Sequence, residues 1–415
     1  MKTWVTYMAA LLMGFATCLL FGEYTLATDF FSAVSSYLIN FSVYLFIPVL
    51  LITFASGIAS LKKDEAGGRM FSSMIGWSIS TTVILSVVAA VFYYFFPVKF
   101  PVTASAGSSL AGIEDAANMI ATEAFGYLFP TNPLDLLSNV STFLPPAIAI
   151  ALVLGLALKP SSDIIRPAYT VVNSFAEVMY RITRTVTTFG WLLAYTSSSW
   201  FFLSLYQEKT ILVVPEFLYK IILASVGVIF VVLPIIFWAY TGFRKNPYRA
   251  FFGSLSNLTI ALTTGNIIIS SLMGESVTRQ NLGSQKRISS TAIPLFTLIA
   301  RGGTAFISTL ITLMLIQGAT GQKPSIAICL IVSCAMMLTS LTASLFVGYE
   351  TIFVIFLAMK LCNIYLAGAE AAIVALLPLI NGIGILIDSF ISNLGTIVGS
   401  VYVGTDIDTP YSDTI

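Results

Sequence analysis

The sequence predicts an all-α polytopic membrane protein, and three observations carry that prediction. Of its 415 residues, 57% are hydrophobic and only 9% are charged, against roughly 25% charged in an ordinary soluble domain, which leaves too little polar surface for a water-soluble globule. Apolar runs recur along nearly the whole chain, mean hydropathy is +0.92, and about 20 apolar residues suffice to cross the hydrocarbon core as a helix. Finally, Arg301 and Asp388 are lone charges inside long apolar runs, 290–317 and 371–402. A charge near the bilayer centre costs on the order of 3 kcal/mol on insertion scales, so it faces a bundle interior or a watery cavity and marks a solute or ion pathway. The expected function is movement of something polar through a membrane.

Taken in order, apolar runs between charged or Pro/Gly-rich breaks predict helices over 3–22, 36–61, 72–97, 129–158, 169–205 and 211–243. The first run could pass for a signal peptide, but it lacks a clear small-x-small cleavage site and is followed by further spans, which favours a first transmembrane helix. Beyond residue 250 the pattern changes. Small and polar clusters interrupt the runs: Thr263-Thr264-Gly265-Asn266, Arg301-Gly302-Gly303-Thr304 and the stretch from Thr339 to Ser344, which includes Ser340 and Thr342. Non-helical backbone at membrane depth is tolerated only where it is buried in protein or lines a cavity, and paired broken segments point to a transporter's binding site. Any one cluster can equally serve close helix packing, whereas three in one half argue for re-entrant hairpins.

Charge placement sets a topology with the N-terminus inside. Lys2, Lys62, Lys63, Arg69, Lys159, Arg166, Arg181, Arg184, Arg244, Lys245, Arg249, Arg279, Lys286 and Arg287 then fall on the cytoplasmic side, and only Lys99, Lys209, Lys220 and Lys323 fall outside. This satisfies the positive-inside rule if 250–276 enters and leaves on one side. The segment 99–127 reads as an external connector and 406–415 as a short cytoplasmic tail.

Composition also excludes functions. A net charge of +1 argues against a nucleic-acid partner. The chain has no histidine, so histidine proton relays and histidine-ligated metals are out. The four cysteines, Cys18, Cys329, Cys334 and Cys362, lie in apolar runs without metal-like spacing and read as buried thiols. No phosphate-binding loop supports an ATP-driven pump, and Asp388 is the single plausible intramembrane catalytic acid, so an enzyme is disfavoured. No cofactor is expected.

Four segments carry a family resemblance: Ile47-Pro48-Val49-Leu50 running to Gly57-Ile58-Ala59-Ser60-Leu61; Pro130-Thr131-Asn132-Pro133-Leu134 followed by Leu144-Pro145; Ala176-Glu177-Val178-Met179-Tyr180-Arg181-Ile182; and Gly303-Thr304-Ala305. In order and spacing the chain resembles the dicarboxylate/amino acid:cation symporter family, the glutamate-transporter homologues, along essentially its whole length. The resemblance implies eight transmembrane helices plus two re-entrant helical hairpins in an elevator fold, assembled as a homotrimer in the cytoplasmic membrane. It implies scaffold helices one and two in 1–70, transport-domain helix three in 71–98, an external loop in 99–128, and scaffold helices four and five in 129–205. Helix six would occupy 206–249, the first hairpin and its loop 250–288, helix seven 289–317, the second hairpin 318–368, helix eight 369–405 and the tail 406–415.

The ligand site departs from the family pattern. Where the family's seventh span has Asn-Met-Asp-Gly-Thr, this chain has Ala300-Arg301-Gly302-Gly303-Thr304. Two oxygen-bearing side chains are gone and a guanidinium has arrived, which disfavours a hard cation. In the eighth span, aligning the downstream glycines puts Asp388 at the family's arginine, Ser389 at its threonine, Ser392 at its asparagine and Thr396 at its last aspartate. Aligning the acids instead puts Asp388 at the first aspartate and Ile391 at the arginine. In both registers the guanidinium fork for a second substrate carboxylate is missing. Ala300, Gly302, Ser392 and Thr396 are then the remains of a degenerate cation site, and the coupling cation, sodium or proton, stays open.

The leading expectation is a secondary transporter of a small polar solute, an amino acid or related carboxylate. The solute would be held by Thr263, Thr264, Gly265, Asn266, Arg301, Gly302, Thr304, Ser340, Thr342, Asp388, Ser389 and Ser392. Arg301 and Asp388 either contact solute or form an internal ion pair, with Arg301 then standing in for a coupling cation. Glu350 and Lys360 could pair within the second hairpin. An uncoupled channel or lipid-moving protein on the same scaffold, and a conventional sodium:dicarboxylate symporter, are the alternatives.

Overall fold

The computed structural model describes residues 2–62, 67–100, 144–207, 215–345, 347–361 and 376–404. All regular elements among them are helical. The segment 129–143 with Asn132 and Pro133, Cys362, most of the predicted external loop and the tail 406–415 lie outside the described residues.

The chain opens with α1 (Thr3–Phe21), α2 (Thr25–Lys62), α3 (Gly67–Phe95), α4 (Pro145–Ala157), α5 (Arg166–Phe189) and α6 (Trp191–Gln207). The expected single helix over 169–205 is thus two helices meeting at Gly190. The buried Tyr7 hydroxyl donates to the Thr187 carbonyl at 2.7 Å, the acceptor that a continuous helix would have used for Trp191. Gly190 sits against that hydroxyl and the Met273 methyl, with no room for a Cβ. The run 211–243 divides as well, into α7 (Pro215–Gly227), a π-turn Val228–Val232 and α8 (Leu233–Thr241). Pro234 has no N–H for the Phe230 carbonyl, and the Tyr248 hydroxyl donates to it instead at 3.1 Å.

The second half holds α9 (Pro247–Gly253), α10 (Leu255–Thr264), α11 (Ile267–Gln280), α12 (Lys286–Ile299), α13 (Gly302–Thr320), α14 (Ile326–Ser340), a 3-10 turn Ala343–Leu345, α15 (Glu350–Leu361) and α16 (Leu377–Val403). Helices α10 and α11 form a hairpin that reverses at Gly265, in the left-handed region at φ +57°, and Asn266. The Asn266 side chain accepts from the Ile268 and Ile269 amides and caps α11. Helices α14 and α15 form a second helix pair. Glu350 and Lys360 stand at the two ends of α15, about 15 Å apart at 1.5 Å per residue, and do not pair.

Among the described residues, six helical stretches are long and apolar enough to cross a membrane. The apolar windows of Lys286–Thr320 and Leu377–Val403 are 94% buried, against 28% for Thr3–Phe21, so the last two form the centre and α1 lies at the periphery. One apolar core unites α3, α7, α8, α13, α14, α15 and α16, with Trp77, Phe237, Phe306, Phe353 and Phe390 at its heart. A second joins α1, α2, α4 and α6 to α10 and α11 through Tyr7, Phe54, Leu193, Ile268 and Met273. Cys18 and Cys329 are buried as expected, whereas Cys334 is exposed on the face of α14 that leaves the bundle.

Trp77 ties α3 to α16. Its indole Nε1 donates to the Ile391 carbonyl at 3.0 Å, and Phe237 and Tyr240 meet its ring edge-on. Trp77→Phe, which removes that bond and part of the ring volume, is expected to cost about 2 kcal/mol, read as a lower midpoint in thermal unfolding of the purified protein.

Candidate solute and ion site

The site is built on the interruption between α12 and α13. Ala300 (φ −81°, ψ 80°) and Arg301 (φ −117°, ψ 21°) leave helical geometry, and the Arg301 amide turns back to the Ile299 carbonyl at 3.0 Å. That turn leaves the carbonyls of the last turn of α12 and the first amides of α13 without partners in their own helices. Three side chains satisfy them. The fully buried Arg301 guanidinium donates from Nη2 to the Thr297 carbonyl at 2.6 Å and from Nε to the Leu298 carbonyl at 3.4 Å. The Ser78 hydroxyl of α3 donates to the Ile299 carbonyl. At the other end, the fully buried Asp388 carboxylate accepts from the Gly303 amide at 2.6 Å, from the Thr304 amide at 3.2 Å and from the Thr304 hydroxyl at 2.5 Å. A cation thus sits on the negative end of one half-helix and an anion on the positive end of the next, the arrangement that the helix dipole favours.

Arg301 and Asp388 are electrostatically coupled, with Glu350 as a further carboxylate in reach of the guanidinium, but no carboxylate of the described residues lies within 4 Å of it. The expected alternative of a direct ion pair is therefore replaced by two helix-end caps, because each charge finds closer partners in the exposed backbone. Gly303 makes this possible: the Gly384 carbonyl and the Asp388 amide occupy the place of a Cβ, so α16 approaches α13 closely enough for the carboxylate to reach the amides.

The remaining polar positions fall into two groups. Ser392 donates to the Asp388 carbonyl at 3.0 Å and Thr396 to the Ser392 carbonyl at 2.9 Å, so both hydroxyls are spent along their own helix. With Ala300 and Gly302 they supply no carboxylate, and the seated guanidinium occupies the Thr297 and Leu298 carbonyls. Ser340 and Thr342 bond back to the carbonyls of Met337 and Thr339. Ser389 meets Ser270 of α11 at 2.5 Å.

Thr263, Thr264, Gly265 and Asn266 instead line a cavity of about 340 Å³, within the size range of small-molecule sites. It lies between both hairpin turns, the start of α16 and the α2 face bearing Ser35 and Asn40, with Trp200 of α6 closing one side. None of its lining residues is charged, and the buried Ser35 hydroxyl has no partner. A larger groove of about 590 Å³ between α2 and α5 is almost wholly apolar and contains none of the expected site residues.

Asn381 is the cavity-lining residue joining both hairpin turns that sequence reasoning missed. Its amide donates to the Gly265 carbonyl at 2.6 Å and to the Gly348 carbonyl at 2.9 Å, one from each hairpin. Its oxygen accepts from the Thr351 amide at 3.1 Å and hydroxyl at 3.0 Å. An amide in the apolar run that also holds Asp388 was the available signal.

Residues 4–405 match the model of the family described as Sodium:dicarboxylate symporter family. The chain belongs to that family. It is accordingly a multi-pass membrane protein of a transporter family rather than of an enzyme family, as the apolar helices require. No curated protein matches it. The segments carrying the family likeness have physical roles here. Glu177 pairs with Arg279 at 3.6 Å and Lys286 at 3.2 Å, and the Arg279 guanidinium lies 3.2 Å from the centroid of the Tyr180 ring, so α5 is clasped to the end of α11 and the start of α12.

Two substitutions probe this symporter's site. Asp388→Asn removes the charge that caps α13 and balances Arg301; a loss of about 3 kcal/mol in stability is expected, checked by thermal unfolding. Asn381→Ala should speed amide hydrogen exchange at 265–268 and 347–351 while 305–316 stays protected, because it unties the two turns without touching the core.

Proposed function

We infer that this protein is a secondary transporter of a small polar solute, an amino acid or related carboxylate, that works without the family's usual sodium sites. The observation that carries this reading is the Arg301 guanidinium bonded to the carbonyls of Thr297 and Leu298. A permanent cation occupies the carbonyl ends of a broken helix, where unwound backbone in such transporters serves a transported cation.

The cavity between the hairpin turns is the solute site in this reading. Its uncharged lining suits a neutral or zwitterionic solute better than a dicarboxylate, whose second carboxylate would have no guanidinium fork. The Thr263 and Thr264 hydroxyls donate to the Thr259 and Ile260 carbonyls of their own helix and offer the solute their lone pairs, and Asn381 ties both turns together beside the cavity. Arg301, Gly302, Thr304, Asp388, Ser389 and Ser392 act one layer behind, holding the broken helix in register. Transport follows if the body carrying the two hairpins, α13 and α16 slides against α1, α2 and α4 to α6, in an elevator of eight spans and two re-entrant hairpins. The Glu177 clasp to Arg279 and Lys286 is partly exposed and weak, on the order of 1 kcal/mol or less, as a contact that breaks in each cycle must be. Family membership supports a homotrimer in the cytoplasmic membrane with both termini inside.

The test is thermal stability of the purified protein against single amino acids and dicarboxylates, each with and without sodium. A solute at 100 times its Kd adds about 2.7 kcal/mol. Stabilisation by a neutral amino acid, equal in sodium and in potassium, is expected. Sodium-dependent stabilisation by aspartate or a dicarboxylate overturns the reading. Arg301→Ala, which frees the carbonyls of Thr297 and Leu298, should lower the unfolding midpoint and make it respond to sodium.

A further inference from the structure

Glu350 is a charged group that the proposed solute site leaves unused. It opens α15 beside the second hairpin turn and is fully buried. Its Oε2 accepts from the Gly348 amide at 2.8 Å and from the Asn381 amide at 3.2 Å, while Oε1 has no partner. No cation lies within 4 Å of it among the described residues. Its neighbours Gly348 and Tyr349, and its partner Asn381, line the solute cavity.

Counting charge around the helix break decides what this means. Arg301 supplies one cation; Asp388 and Glu350 supply two carboxylates, so the fully ionised cluster carries one excess negative charge. Asp388 accepts from the Gly303 amide and from the amide and hydroxyl of Thr304. Glu350 Oε1 has no hydrogen-bond partner among the described residues, and the cation that acts on this carboxylate, Arg301, also acts on Asp388, so a charge left over in such a place costs several kcal/mol, which a proton removes.

Resting on the reading of this chain as a coupled transporter, we propose that the coupling ion is a proton and that Glu350 carries it. Glu350 takes the proton on Oε1, which brings the cluster with Arg301 and Asp388 to neutrality. The loaded body crosses neutral, and the proton leaves to water on the far side. Asn381 makes the step sensitive to solute, because the same amide holds Gly265 of one turn, Gly348 of the other and the Glu350 carboxylate. The groups facing Glu350 from its surroundings are few. Arg301 precedes α13, which has no charge of its own; α14 contributes only the thiols Cys329 and Cys334; α16 contributes Asp388; the 3-10 turn contributes none; Tyr349 adjoins Glu350, and Lys360 lies at the far end of α15.

The proton itself is the probe, so the test needs no solute. Infrared difference spectra of the purified protein, taken across about pH 5 to 9 with glutamate isotopically labelled, should show a protonated glutamate carboxyl that titrates and is lost in Glu350→Gln. In a cysteine-free background, spin labels at the exposed Tyr37 and Tyr349 positions report the distance across the cavity. That distance should change with pH in the parent and be the same at every pH in Glu350→Gln. If Glu350→Gln does not fold, Glu350→Asp serves: the glutamate signal should vanish and an aspartate signal replace it. A signal unchanged in either variant, or a distance whose pH dependence survives in Glu350→Gln, overturns the proposal. Failure of every amino acid to stabilise the protein while the Glu350 signal titrates would sink the solute reading and leave this one standing.

Discussion

A helix that breaks in the middle of a membrane protein must satisfy its own ends, and the rest of this structure is arranged around that requirement. Between Ile299 and Gly302 the backbone gives up its regular bonds in a largely buried setting, and each group left unsatisfied in such surroundings costs several kcal/mol. Arg301 and Asp388 meet the need from opposite sides: the guanidinium closes on Thr297 and Leu298, and the carboxylate on Gly303 and Thr304. Both are charges that would be prohibitive alone at this depth. Set on the ends of two half-helices, each is held by the dipole and by short bonds, and the two roughly balance over a short distance.

Around this centre polar groups pair across helices, while Arg301 Nη1, Glu350 Oε1 and Asn393 Oδ1 have no hydrogen-bond partner among the described residues. Ser86 of α3 meets Thr309 of α13 at 3.1 Å and Ser333 of α14 at 2.9 Å; Asn393 of α16 meets Asn257 of α10 at 3.0 Å. Such hydroxyl and amide contacts, each worth on the order of 1 kcal/mol between membrane helices, join the two hairpins, α13 and α16 into one body. The turns at Gly265 and Gly348 are joined to each other through one side chain, Asn381.

The sequence was most legible where local chemistry decides. The hairpin turn at Thr263 to Asn266 could be read from its residues because Gly265 adopts a left-handed conformation and Asn266 caps the next helix, both local preferences. The break at Ala300-Arg301 was marked by a charge and paired glycines in an apolar run. The division of 169–205 at Gly190 was not legible, because Tyr7, some 180 residues away, supplies the hydroxyl that competes for the Thr187 carbonyl. Asn381 escaped notice for the same reason: its partners Gly265 and Gly348 lie 116 and 33 residues away. Glu350 and Lys360 share a helix, which suggested a pair, but a rise of 1.5 Å per residue keeps them apart.

By itself the sequence determined that the chain lives in a bilayer, that its second half contains broken helices, and that its charges at 301 and 388 had to be buried and compensated. Composition and periodicity settle these, because the hydrophobic requirement acts on every span independently. Only the tertiary structure decided how the compensation is made, by helix ends rather than by a direct ion pair, and which polar residues face a cavity rather than their own helix. Those choices depend on which distant carbonyls and amides come within 3 Å of a side chain, and that distance is set by how α3, α13 and α16 pack, not by any one of them.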